Sequence, residues 1–360
     1  MLVSFEIATL INEREVTKIN EWKEKEGKAF IRNRKNICSD ILVIHSGKAD
    51  KQYSYWLLVL ECKAGNQKDK TENWYIDRVN TIVGVIEKIL ILEEADKRVF
   101  EWKIYQMRYK LGLNAPLEYA EVFKKGAHLE KEKMKYIEEN GYIGYRNASA
   151  TLSVYINDKE KKDTSVSLSY QTDRRADHQF QLELILKRDR IQWLIPKLGF
   201  MDRSPYGLLK LSYTKAIELF MYHIYLKRIL GTGRFLSMDD AMNRICNSGL
   251  SGQKAETLCR VVTQTEELGG VEGYLRTVDN GTSDTTAKRN TAMGYLRKLN
   301  LLDVNPITCN IKGGMDNMVV MLPEVIKINV RDKQIFYRQF GFLKWYEKEI
   351  MDSRKGSERT

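Results

Sequence analysis

In three short stretches of this chain, apolar residues return at every second position. In 150-ATLSVYIN-157, Leu152, Val154 and Ile156 form one set, and Thr151, Ser153, Tyr155 and Asn157 form the other. In 179-QFQLELILK-187, Leu182, Leu184 and Leu186 alternate with Gln181, Glu183, Ile185 and Lys187. In 104-IYQMRYK-110, Tyr105, Met107 and Tyr109 alternate with Gln106, Arg108 and Lys110. A strand sends successive side chains to opposite faces, so each stretch is predicted as a β-strand with one apolar and one polar side. A chain with several such strands must build a sheet whose two faces differ chemically.

The other predicted elements fill in around that sheet. The segments 3-VSFEIATLI-11, 29-AFIRNR-34, 41-ILVIH-45 and 53-YSYWLLVLECKAGN-66 read as strands, the last being the longest. The stretches 141-GYIGYRN-147 and 164-TSVSLSY-170 continue a meander. Helical spacing marks 73–92, and a charged helix is expected from Leu117 to about Glu139. After Arg188 the texture changes to helices broken at 231-GTG-233 and 269-GG-270, and Ser237 is an expected N-cap. A short strand is expected at 318-MVVML-322. The fold class is therefore α+β: a mainly antiparallel sheet with packed helices over 1–200, a mainly helical domain over 201–352, and a basic tail at 353–360.

Charge narrows the function. Lys and Arg number 59 against 48 Asp and Glu, a formal +11, and such a balance draws polyanions, nucleic acid first. Nineteen tyrosines, several beside a cation (Tyr109-Lys110, Lys135-Tyr136, Tyr145-Arg146), suit stacking on bases along a backbone. No apolar run approaches the roughly 18–20 residues that cross a bilayer. The opening residues lack a basic leader, and five scattered cysteines include no CxxC, so a cytoplasmic chain with reduced thiols is expected. The glycine pairs at 231–235 and 311–316 lack phosphate-loop spacing, so no ATPase or helicase activity is expected.

If the three alternating strands neighbour one another, Tyr155 and Glu183 share a polar face. A phenol becomes a nucleophile when cations or a metal stabilise its phenolate. Glu183 and Asn157 carry oxygen ligands suited to magnesium or manganese. The same spacing also fits an amphipathic sheet with its wet side outward. Of the four histidines, His223 lies in an apolar helix and reads as core, and His178 reads as a turn residue. In 284-DTTAKRNTAMGYLRKLN-300, Ala287, Ala292, Leu296 and Leu299 form an expected buried stripe, leaving Lys288, Arg289, Arg297 and Lys298 for DNA in a major groove.

The order YIGYRNASATLSVYINDKEKK, a gap, then FQLELILKRDRIQWL resembles the rolling-circle replication initiators of plasmids and filamentous phages. The segments 102-WKIYQMRYKLGL-113 and 289-RNTAMGYLRKLNLLDVNPIT-308 are similar to further segments of that family. The resemblance implies a nickase-like first domain that cuts one DNA strand at an origin, with a divalent metal (Mg2+ or Mn2+). Tyr155 would be the nucleophile, Glu183 a metal ligand, Asn157 or Asp158 the residue that follows the tyrosine and shares the metal, and Lys159 would face a phosphate. The DNA would be an origin hairpin, single- and double-stranded, held by Arg108, Lys110, Arg146, Lys187 and Arg188 in this domain. A host helicase and polymerase would act with it, and a dimer is compatible. Gln106, Arg108 and Gln181 depart from the family pattern, so the alternative is a diverged DNA-binding regulator that cuts poorly or not at all. An RNA-binding protein is the third reading.

Overall fold

The structure is a computed structural model. It describes residues 2–24, 38–45, 56–64, 74–91, 99–126, 135–139, 142–157, 166–167, 178–197, 209, 215–279 and 285–326. In chain order the elements are β1 (Leu2–Ile11), α1 (Glu13–Trp22), β2 (Cys38–His45), β3 (Trp56–Lys63), α2 (Trp74–Leu90), β4 (Lys103–Ala115), α3 (Glu118–Gly126), β5 (Lys135–Glu139), β6 (Tyr142–Arg146), β7 (Ala150–Asn157), β8 (Val166–Ser167) and β9 (His178–Lys187). Then come α4 (Arg188–Lys197), α5 (Lys215–Leu230), α6 (Met238–Cys246), α7 (Gly252–Glu267), α8 (Val271–Asp279), α9 (Thr285–Leu301) and α10 (Met318–Ile326). The architecture is α+β. Two compact units divide it: 1–110 with 184–218, and 111–183 with 219–360.

In the first unit the strand order is β2-β3-β1-β4, with every neighbour antiparallel. One face of this sheet carries Phe5, Ile7, Leu58, Leu60, Cys62, Ile104 and Met107, all buried. Helix α2 buries Tyr75, Val79, Ile82, Ile86 and Leu90, a spacing of three and four residues that makes a single apolar stripe. The Tyr75 ring meets Phe5 edge-on at 6.0 Å. Helix α1 starts where the sequence supplies a capping box. Asn12 Oδ1 accepts the Glu15 amide at 3.0 Å, and the Glu15 carboxylate accepts the Asn12 amide at 2.7 Å.

In the second unit β9-β7-β6-β5 follow one another, and β8 pairs in parallel with Leu113 and Asn114 of β4. The helix α5 is buried nearly all round, and the Tyr222 hydroxyl donates to the Leu182 carbonyl of β9 at 3.2 Å. His223 is buried, in keeping with its apolar helix.

Beyond α5 the chain is tied by buried amides. The Asn317 side chain donates to the carbonyls of Gly233 (2.9 Å) and Leu230 (3.2 Å), and Asn305 donates to the same Leu230 carbonyl. Asn300 Oδ1 accepts the amides of Thr232 and Gly233, each at 2.8 Å. The carbonyls left over at the end of α5 and in the turn after it are thereby satisfied. Ser237 caps α6 as expected, accepting the Asp240 amide at 3.1 Å.

Three expectations are corrected. Residues 318–322 are helical, because five apolar residues in a row carry no period of their own and Asn317 Oδ1 accepts the Val319 amide at 3.0 Å as a cap. The charged helix stops at Gly126, and Lys135–Glu139 instead pairs with β6, Lys135 facing Arg146 and Glu139 facing Tyr142. Pairing with the strand that follows after two residues overrode helix propensity there. His178 begins β9 rather than a turn. The strand expected at 29–34 and the tail at 353–360 lie outside the described residues.

Gly233 is where the tied region is tightest. A Cβ there would sit 2.4 Å from the Val304 carbonyl carbon and oxygen. Gly233→Ala is expected to cost about 1–3 kcal/mol, measured as a lower urea midpoint at an unchanged slope.

Candidate active site

The structure brings Tyr155 and Glu183 together. The Tyr155 hydroxyl donates to Glu183 Oε2 at 3.2 Å, Tyr155 is half-buried, and Glu183 is buried. Tyr142 lies directly across the β6–β7 ladder from Tyr155, and the rings are tilted at 56° with centroids 5.2 Å apart. The Tyr142 ring leans over Gly144, where a Cβ would lie 2.5 Å from its hydroxyl, and that hydroxyl accepts from Ser153 Oγ at 3.2 Å. The glycine in YIGYR is thus the space a ring occupies.

This face of β7 is not the open wet surface that alternation implied. Thr151 is 5% exposed and Ser153 2%, nearly as closed as Leu152 and Val154 on the opposite face. Burial raises the Tyr155 pKa above the usual 10.0, and the Glu183 carboxylate and the bond to it push the same way. The phenol is therefore held protonated. A nucleophilic phenolate needs the opposite field.

The remaining expected residues are dispersed. Asn157 ends β7, its side chain outside the described ones, and Asp158 and Lys159 lie outside the described residues altogether. Arg146 is exposed at the end of β6 in the second unit. Arg108 and Lys110, half-buried on β4, and Lys187 and Arg188, exposed where β9 meets α4, belong to the first unit. On α9, Lys288, Arg297 and Lys298 are exposed and Arg289 is half-buried, with Lys298 Nζ 5.7 Å from the Tyr295 ring centroid. Ala292, Leu296 and Leu299 are buried there, but Ala287 is exposed, so the buried stripe begins a turn later than expected.

The first unit holds a second constellation that the sequence reading passed over. On the sheet face opposite Phe5 and Leu60, four cross-strand partners form one row: Asp40 of β2, Glu61 of β3, Glu6 of β1 and Gln106 of β4. Directly paired residues of an antiparallel ladder point the same way, with Cβ atoms about 4.5–5.5 Å apart. The Glu6 and Glu61 carboxylates therefore stand side by side, and Asp40 is next to Glu61 in backbone register. The next row on that face is Lys63, Ser4 and Arg108. Glu6 and Glu61 are half-buried and Lys63 is exposed, while Gln106 Nε2 donates to Glu6 Oε1 at 3.0 Å. Asp40 is placed by its backbone register alone. Among the described residues no three His, Cys, Asp or Glu side chains form a metal-holding group.

The signal for this row was present in 53-YSYWLLVLECKAGN-66. Glu61 and Lys63 are polar residues two apart at the end of an otherwise apolar strand, and Asp40 opens the preceding one. Carboxylates placed directly opposite one another repel. A sheet carrying such a row gains by placing a cation there, and hard divalent ions take oxygen ligands of this kind.

The raised Tyr155 pKa has a pH consequence. Below pH 10, folded and unfolded chains both keep this phenol neutral, so the preference is fully present. As pH rises from 10 through the higher folded value, the unfolded state ionises first and stability falls. Tyr155→Phe is expected to lessen the loss of urea midpoint between pH 9 and pH 11; an identical loss in both proteins would contradict the assignment. Compared with known protein families, curated proteins and solved structures, the chain matches none.

Proposed function

We propose that this chain is a divalent-metal-dependent endonuclease that hydrolyses a DNA phosphodiester at the row Asp40, Glu61 and Glu6 with Lys63. The single observation that carries the reading is the shared register of three carboxylates and, one row along, a lysine. Acids alone repel a phosphate, so they serve a polyanion only through a cation held between them. Magnesium or manganese, held by Asp40 and Glu61 with Glu6 beside them, would act as a Lewis acid on the phosphate and lower the pKa of water.

The chain's own groups have distinct tasks. Glu61 would offer an oxygen ligand, with Asp40 its partner in register on the adjacent strand. Gln106 fixes the Glu6 carboxylate by its 3.0 Å bond. Lys63, exposed on the same face, offers an ammonium to the charge that builds on the non-bridging oxygens. In the reaction, water adds to phosphorus, the bond from phosphorus to the leaving sugar oxygen breaks, and that oxygen takes up a proton. Both DNA ends leave free of protein. The net charge of +11 supplies the long-range attraction for DNA that the acid row cannot.

A second reading is favoured by the 3.2 Å bond between Tyr155 and Glu183. It is the strand transfer of rolling-circle initiators, in which the Tyr155 oxygen replaces water and stays joined to the DNA.

One experiment separates the two. Supercoiled and linear DNA are incubated with the protein and Mg2+ or Mn2+, then resolved on denaturing gels that also report protein attached to DNA. Hydrolysis predicts protein-free ends, no cutting in EDTA, and a fall of about 10²–10³-fold in Glu61→Gln and in Lys63→Ala, with Tyr155→Phe still active. A DNA–protein adduct that vanishes in Tyr155→Phe would establish strand transfer instead. Salt-sensitive binding with no cutting under either ion would leave a DNA-binding regulator, and preferential cutting of an RNA of equal sequence would displace DNA as substrate.

A further inference from the structure

One row along the strands from the acids, on the same face, Val59, Ala8 and Lys103 are partners, and beyond them Leu57 faces Leu10. A cavity of about 250 Å³ opens there, lined among others by Leu10, Leu57, Val99, Lys103, Tyr105 and Arg188. Its walls are unusual for a surface. Val99 is 90% exposed and Leu10 48%, so large apolar groups stand in water beside cations. Lys103 is 3.0 Å from the Glu101 carboxylate, and Arg188 is exposed, so the cavity carries one more positive than negative charge.

Tyr105 reaches this cavity because the ladder is irregular. Glu6 pairs with Gln106 and the next residue, Ile7, pairs with Ile104, so Tyr105 is the extra residue of a β-bulge. A bulge re-aims a side chain and shifts the pairing beyond it by one residue. Here it adds a ring to the cavity while keeping Gln106 in the acid row.

Apolar walls, a ring and an excess cation match the parts of a nucleotide, which has a flat base and an anionic phosphate. The volume is below the roughly 300–1,000 Å³ of pockets for drug-sized ligands, which suits one ring system and not a duplex. We infer that this cavity is a subsite for a single unstacked nucleotide adjoining the phosphodiester to be cut, its base against Tyr105, Leu10 and Leu57 and its phosphate toward Lys103 and Arg188. The subsite takes its place beside the cut from the endonuclease reading above, but its binding does not depend on cutting.

The test is the affinity of the full chain for a fluorescent single-stranded DNA, read by anisotropy in EDTA so that no cleavage occurs. Tyr105→Ala is expected to weaken binding about tenfold, and Tyr105→Phe, which keeps the ring, to bind like the parent. Arg188→Gln is expected to flatten the log K against log salt slope by about one. Thermal melts of the three variants show whether each is folded, and the Phe variant separates loss of the ring from damage to the sheet. Wild-type affinity in Tyr105→Ala, or weakened binding in a folded Tyr105→Phe, would overturn the subsite. A chain that binds through Tyr105 yet cuts nothing overturns the endonuclease reading and keeps the subsite. A chain that cuts while Tyr105→Ala binds at full strength overturns the subsite alone.

Discussion

The ladder of β1 between β3 and β4 fixes what each face of the first sheet presents. Phe5 pairs with Cys62 and Met107 toward the core, so Glu6, the next residue, must pair with Glu61 and Gln106 on the other side. Slipping this strand by one residue would drive Glu6 under α2 and expose Phe5, at a cost set by the apolar area lost from the core. Packing that has nothing to do with chemistry thus specifies the position of the carboxylates. The hydrophobic stripe of α2 and the edge-on contact of Tyr75 with Phe5 hold the register, and the acid row inherits its precision from them.

The two candidate sites solve the problem of a buried or crowded carboxylate differently. Glu183 is buried and accepts the Tyr155 hydroxyl, a neutral donor within a cluster of rings that raises the phenol pKa. That is how a polar group is accommodated in a packed layer. Glu61 and Glu6 are half-buried, lie opposite each other, and have a lysine and an arginine one row away. Neighbouring acids in that position cost stability that a purely structural sheet would have no reason to bear. The contrast is why the hydrolytic reading is set ahead of the covalent one.

Much of the fold could be read from alternation and caps. The strands at 104–110, 150–157 and 179–187, the polar parity of Gln106, Arg108 and Lys110, and the Ser237 cap all follow from local pattern. The nearness of Tyr155 to Glu183 did too, because β9 and β7 are neighbours. What local pattern could not give was the outcome of non-local pairing. Lys135–Glu139 is an exception, because it pairs with β6 only two residues further on and its charge alone made it look helical. Tyr142 lies across Gly144 and bonds Ser153 in its buried place, which a period-two pattern does not encode. The acid row is spread over residues 6, 40, 61 and 106, so no window of sequence contains it; only the strand order β2-β3-β1-β4 makes it a row. A helix at 318–326 hung on one asparagine cap, because its apolar run had no period to read.

The distribution of charge along the proposed site follows from electrostatics at two ranges. Away from the surface, a phosphate backbone would sense the net +11 as far as salt screening allows. Within a few ångströms, neighbouring groups dominate, and there the acid row would repel the same backbone. A divalent cation between the acids would offset most of their charge and give a phosphate oxygen a direct positive partner, while Lys63 and Arg108 lie on one side and Lys103 and Arg188 on the other. A strand laid along this face would then meet flanking cations on both sides and a metal ion where a bond is to break. Removal of the cation would leave the flanking attraction in place and make only the middle unfavourable, so binding and cutting are expected to separate in their dependence on divalent ions.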